Sequence, residues 1–249
     1  MTAGKTLDQF LTLDGLAAVN GAPLIAFLAK QRWFGSKAEI DDARFVDVVP
    51  LPWDDRALAI GIVEVKSGDR LSMYQLPLAV RPIDPKNLEG STALIAPLKG
   101  AGAVSLLDAM QDPVFQSRLG GGLVSPESFR SEHGGTWSIE RLSKAPLAIT
   151  DATKVVAGSA EQSNSALIFG ELAILKLFRK LERGVQPDVE LTRFLSADAG
   201  FPHVAPLFAT LHYRDTQGEA VAGMLQEYLP GSRDAWSYFL AGGKDGRAA

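Results

Sequence analysis

Lys176 lies in the apolar run Ala173-Ile174-Leu175-Lys176-Leu177-Phe178. A strand over these residues puts Ile174, Lys176 and Phe178 on one face. On a buried face such a lysine needs an anionic partner, because an unpaired buried ammonium is strongly disfavoured. Glu190 is the natural candidate, fourteen residues on and one turn into a helix that Pro187 opens. A strand lysine held by a helix glutamate is an arrangement that grips nucleotide phosphates. The same residues also fit an edge-strand lysine that is solvated and unpaired. Upstream, Gly158-Ser159-Ala160-Glu161-Gln162-Ser163-Asn164-Ser165 sets small polar residues between two apolar runs. Its backbone N–H groups and hydroxyls suit phosphates, although an ordinary polar hairpin reads the same way and no Walker spacing is present. Downstream, Gln226-Glu227-Tyr228-Leu229-Pro230 ends an apolar strand, where backbone groups can meet an adenine edge, as at any strand-to-loop exit.

These residues need strands and one helix to position them, and the patterning supplies both. Residues 154–156, 165–169 and 172–178 read as strands, with a tight turn at Gly170-Glu171. A helix follows from Pro187 to Gly200, with Asp188 and Glu190 in its first turn. Two more strands are expected at 204–213 and 220–229, then a helix from about 233. The first thirty residues read as helical, and the period then changes to two. Strands are expected over 45–49, 57–65 and 71–80, the last two joined as an antiparallel hairpin through Lys66-Ser67-Gly68-Asp69-Arg70. A short strand at 91–98, a helix at 103–118 stopped by Gly120-Gly121-Gly122, and weaker strands near 135–142 complete the reading. The fold class is α+β.

Composition narrows the chemistry. The chain has 249 residues, 46% hydrophobic and 22% charged, enough for a sizeable core. Its net charge of −4 gathers neither a nucleic-acid backbone nor an anionic membrane. Without cysteine there is no disulfide scaffold, thiolate metal site or cysteine nucleophile. His133, His203 and His212 are scattered without ligand spacing. No signal-like start and no apolar run of about 20 residues occurs, so the expected compartment is the cytoplasm.

Taken in order, the stretch from 154 to 229 resembles the small lobe of the aminoglycoside-phosphotransferase-like kinases. Gly158 to Ser165, Ile174-Leu-Lys-Leu-Phe-Arg-Lys180, Gly184-Val-Gln-Pro-Asp-Val-Glu190 and Asp234-Ala-Trp-Ser-Tyr238 are similar to the maltokinase branch. Arg32-Trp33-Phe34-Gly35-Ser36-Lys37 and the strands after it resemble the N-terminal cap that precedes the kinase lobe there. The resemblance implies a cap with an antiparallel sheet and helices over 1–98, an intermediate subdomain over 99–150, and a protein-kinase-like small lobe over 151–249. It implies that Lys176 binds ATP phosphates and that Glu190 orients it. Gln162, Ser163 and Asn164 would cover the phosphates. Ile174 would roof the adenine, and Gln226, Glu227 and Tyr228 would form the hinge. For Trp33 and Phe34, an aromatic pair plugging the cap's own core is the competing reading.

The family's His-Gly-Asp catalytic loop and its later magnesium-binding Asp have no match here. His133-Gly134-Gly135 has glycine in place of the Asp and precedes the lysine strand. The expectation is therefore the N-terminal part of an ATP- and Mg2+-dependent maltokinase-like kinase, inactive by itself. Its implied partners are a large kinase lobe and, since the same unit occurs fused to it, trehalose synthase. The alternatives are a non-catalytic protein binding a nucleotide or a partner on the same scaffold, and a kinase for another sugar, such as an amino sugar. Tyr228, Leu229, Trp236, Tyr238, Phe239 and Leu240 should form an apolar surface. It would be covered by the large lobe, by the last helix folding back, or by a second copy.

Overall fold

The computed structural model describes residues 7–35, 39–53, 57–98, 103–143, 147–150, 152–158, 164–232 and 239–240. Two short helices, α1 (Leu13–Leu16) and α2 (Ala22–Leu28), lead into a sheet. Its strands are β1 (Asp42–Pro50), β2 (Leu58–Ser67), β3 (Arg70–Arg81), β4 (Leu94–Pro97) and β5 (Ser105–Asp108). They pair antiparallel in the order β1-β2-β3-β5-β4. The β2–β3 hairpin closes where expected, with Ser67 opposite Arg70 and Gly68 at φ 58°. That left-handed backbone is the reason for glycine there.

Both faces of this sheet are covered, and β2 shows how. Ile60 and Ile62 enter one apolar cluster while Ala59, Val63 and Val65 enter another. The second cluster lies under α1, α2 and the Trp33-Phe34 pair. The first is shared with the rest of the chain, including Phe115, Trp137, Leu167 and Leu211. Period two with both faces buried is the expected signature of a sandwiched strand.

Residues 103–118 differ from the expected helix. Residues 105–108 form β5, and α3 (Pro113–Gly122) begins only after Asp112, whose carboxylate accepts the Val114 and Phe115 amides at 3.0 Å each. Asp112 followed by Pro113 is an N-cap signal that outweighs the apolar spacing upstream. The glycine run does not stop the helix either. It is the last turn, and a Cβ on Gly120 would lie 2.7 Å from the Phe169 ring. Glycine is there to let helix and sheet approach.

The second sheet contains β6 (Glu127–Arg130), β7 (Thr136–Arg141), β8 (Val155–Ala157), β9 (Asn164–Phe169), β10 (Ala173–Phe178), β12 (Leu207–Asp215) and β13 (Gly218–Glu227). Its order is β6-β7-β12-β13-β10-β9-β8, antiparallel throughout. Residues 99–150 are thus divided between the sheets, β5 going to the first and β6–β7 extending the second. A two-residue strand, β11 (Lys180–Leu181), pairs with Tyr74 and Met73 of β3. One continuous segment therefore belongs to both sheets. Between β11 and β12 lies α4 (Pro187–Arg193), continued by a π-helical turn, Phe194–Asp198.

Candidate nucleotide-binding face

Lys176 occupies the middle of β10, opposite Met224 of β13 and Ala166 of β9. Its neighbours Leu175 and Leu177 are fully buried in the shared core. Lys176 and Ile174 turn the other way and are half-buried. The same outward face continues to Phe178, which packs with Val189 of α4, Leu207 and Met224. The helix therefore lies on the lysine's face of the sheet but covers only its Phe178 end.

The expected ion pair is not formed. Glu190 is exposed, and Lys176 has no carboxylate within ion-pair distance among the described residues. The reason is local. Gln186 caps α4 by accepting the Asp188 amide at 2.8 Å, and Val189 is the helix's one buried residue. Glu190, about 100° further round, then faces outward. Of the three residues expected to cover phosphates, Asn164 starts β9, while Gln162 and Ser163 lie outside the described residues. In the hinge segment, Gln226, Glu227 and Tyr228 are half-buried. The Glu227 amide donates to Pro206 O at 2.9 Å and the Tyr228 amide to Leu172 O at 3.2 Å. A ligand edge meeting this segment must use its other backbone groups.

Leu191, Phe194, Phe201, Leu229 and Leu240 are about half exposed, and Phe239 more so. Trp236 and Tyr238 lie outside the described residues. Among the described residues no three His, Asp or Glu side chains converge to hold a metal, and no helix is long and apolar enough to cross a membrane.

The opposite face carries a polar junction that the sequence reading missed. Gln75 of β3, fully buried, donates to Phe178 O at 2.9 Å and to Ala222 O, and accepts Trp137 Nε1 at 3.2 Å. Arg179 Nη2 pairs with Asp108 at 2.7 Å and its Nε donates to Ser165 Oγ at 2.8 Å. Its guanidinium stacks 4.7 Å from the Trp33 ring. Trp33 and Phe34 plug the first sheet's core against Tyr74, as the competing reading held, and Trp33 also supplies the ring for Arg179. A second link runs through Asp47, which accepts the His133 amide at 3.1 Å and the Tyr213 hydroxyl at 2.8 Å. Burial, reinforced by the Asp47 carboxylate, pushes the Tyr213 phenol far above its ordinary pKa, so it remains a donor.

The fold is similar to that of solved kinases. One is a glucosamine kinase in complex with glucosamine, ADP and inorganic phosphate, at TM-score 0.52 and 17% identity over 97% of this chain. Another, a glucosamine kinase in crystal form A, gives TM-score 0.50 and 16% identity over 97% of this chain. At that identity the likeness shows the fold. The chain spans 44% and 45% of those two structures, less than half of each. Residues 27–112 match the maltokinase N-terminal cap domain. The strands β1 to β5, with the Trp33-Phe34 plug, are therefore maltokinase-cap-like, and the chain as a whole has the fold of part of a kinase.

Proposed function

We propose that this chain supplies the cap and the nucleotide-binding small lobe of an ATP-dependent, maltokinase-like sugar kinase acting in the cytoplasm. The parent reaction transfers the γ-phosphoryl of ATP to a hydroxyl of maltose, giving maltose 1-phosphate for α-glucan and trehalose metabolism. One observation carries the reading. Lys176 stands half-buried on an interior strand of the second sheet, without an ion-pair partner among the described residues, on the face turned away from a maltokinase-like cap.

The residues fit a triphosphate on that face. Lys176 supplies a fixed cation to the phosphates, and small Ala166 beside it leaves room for them. Ile174 and Ile168, paired across β10 and β9, offer apolar cover to a base ring. Gln226 to Tyr228 end the strand beside Ile174, where a base edge meets backbone. Asn164, at the start of β9, would cover the phosphates, together with Gln162 and Ser163 just before it in sequence. Glu190 engages Lys176 only if α4 moves inward, a movement that its single buried anchor permits. Mg2+, when bound with ATP, neutralises phosphate charge. The proton acceptor and metal-binding acids belong to a large lobe, which would cover Leu191, Phe194 and Leu229 and complete the cleft. A trehalose synthase partner is compatible with this reading.

Titration with a fluorescent ATP analogue tests it. Weak binding is expected, reduced about tenfold or more by Lys176→Met, the loss of one charge-assisted contact. The chain alone should form no sugar phosphate from ATP, Mg2+ and either maltose or glucosamine. Equal affinity in Lys176→Met would overturn the role of the lysine. Sugar phosphate formed above a contaminant control would overturn the division of labour between lobes.

A further inference from the structure

A cavity of about 190 Å³ opens between the turn after α2 and the β8–β9 hairpin. Lys30, Arg32 and Trp33 line it from the cap, Gly158 and Ser165 from the hairpin, and Arg179 is shared between them. It is smaller than drug-sized pockets, which run from about 300 Å³, and suits a compact ligand.

Its charge is positive in a chain that is acidic as a whole. Asp108, the carboxylate at the cavity, is already committed. One oxygen takes Arg179 Nη2 and the other takes the Met110 amide. That pair cancels the Arg179 charge, leaving Lys30 and Arg32, which are exposed and have no ion-pair partner among the described residues. The guanidinium itself is incomplete. Nη2 and Nε are used, but Nη1 is shielded from solvent and has no hydrogen-bond partner, with the side chain only 2% exposed. A buried donor left unmade costs about 1–3 kcal/mol and demands an explanation. Ser165 Oγ accepts from Arg179 Nε, and Thr92 Oγ1, also lining the cavity, accepts from Gln111 Nε2, so both hydroxyl hydrogens remain to be donated. Nη1 lies behind the cavity wall, out of reach of solvent, so the donors left to a ligand are Lys30, Arg32 and the two hydroxyls. Two cations and two hydroxyls around one small space select an acceptor-only ligand carrying negative charge.

We propose that this cavity binds a phosphate-type oxyanion, and that its occupancy fastens the β8–β9 hairpin to the cap. The site is distinct from the nucleotide face, with Ala166, opposite Lys176, in the wall between them, and it stands whether or not Lys176 binds ATP. Occupancy would reduce the freedom of the strands that carry Asn164, at the base of the loop proposed to cover ATP phosphates.

The test titrates the full chain with inorganic phosphate, and separately with glucose 1-phosphate, at constant ionic strength. Binding is followed by phosphorus NMR line broadening and by amide exchange. Lys30→Ser combined with Arg32→Ser should weaken phosphate binding about tenfold, the size of one or two partly exposed charge-assisted contacts. Lys176→Met should leave phosphate affinity unchanged. Phosphate should slow amide exchange at Ala157, Gly158 and Leu167 in the wild type and not in the double variant. Arg179→Lys checks the floor of the site. Should that variant fail to fold, the exposed pair Lys30 and Arg32 still decides the outcome. Much tighter binding of glucose 1-phosphate would assign a sugar phosphate as the occupant, and equal affinities would assign free phosphate. No phosphate-dependent change in the wild type would overturn the proposal. So would undiminished affinity in the double variant, or loss of binding in Lys176→Met.

Discussion

The two faces of the second sheet are built to different standards. On the face turned to the cap, Leu167, Phe169, Leu175, Leu177, Leu211 and Leu225 are completely buried. The polar groups there are tied down by Gln75, and by Arg179 with Asp108. On the other face Ile174, Lys176 and Ile168 are half-buried, and a small cluster around Phe178 holds a two-turn helix. One face specifies the fold, so the residues of the other are free to be chosen for what they bind. The contrast also explains why Lys176 is tolerated without a partner: its ammonium keeps access to water, as a charged head on an apolar stem does.

The contrast can be broken most forcefully from the packed side. Phe115→Ala removes a fully buried ring from the shared core and should cost about 3–5 kcal/mol, read as a lowered urea midpoint with unchanged slope. A loss below about 1 kcal/mol would mean that the cap and the second sheet do not share one core. Asp108→Asn is next. It leaves the Arg179 guanidinium buried and uncompensated and should cost about 3 kcal/mol. The open face gives the smallest effect. Leu191→Ser with Phe194→Ser should change stability by less than about 0.5 kcal/mol, because neither side chain is buried. In light scattering, the same pair should abolish any concentration-dependent association of the wild type. A stability loss comparable to Phe115→Ala would show that this surface is already covered by the chain itself.

What was legible in the sequence followed from local signals. Gly68 and the alternation on either side of it gave the β2–β3 hairpin with its ends nearly right, and Pro187 with Asp188 gave the start of α4. Period two put Ile174, Lys176 and Phe178 on one face, as found, but that this is the less buried face was not legible, because the run around the lysine is apolar on both sides. What failed had a non-local cause or a competing local one. Apolar spacing over 103–118 mimicked a helix, while Asp112 and Pro113 held the stronger start signal. Arg179 lay inside a quoted motif but went unread, because its partner Asp108 is 71 residues away and its ring partner Trp33 further still. The separation of Glu190 from Lys176 was equally hidden. Spacing puts a residue on a helix, but how far that helix swings depends on what packs beneath it, and here that is Val189 alone.

The pairing of β11 with β3 has a consequence for synthesis. Tyr74 and Met73 find their strand partners in Lys180 and Leu181, about a hundred residues later in the chain. At about 5–20 residues per second on the ribosome, that half of the β3 edge stays open for roughly 5–20 s. Exposed strand edges are templates for unwanted pairing. A nascent cap should therefore need shielding through this interval, and a stalled or shortened chain ending before residue 181 should aggregate through the β3 edge.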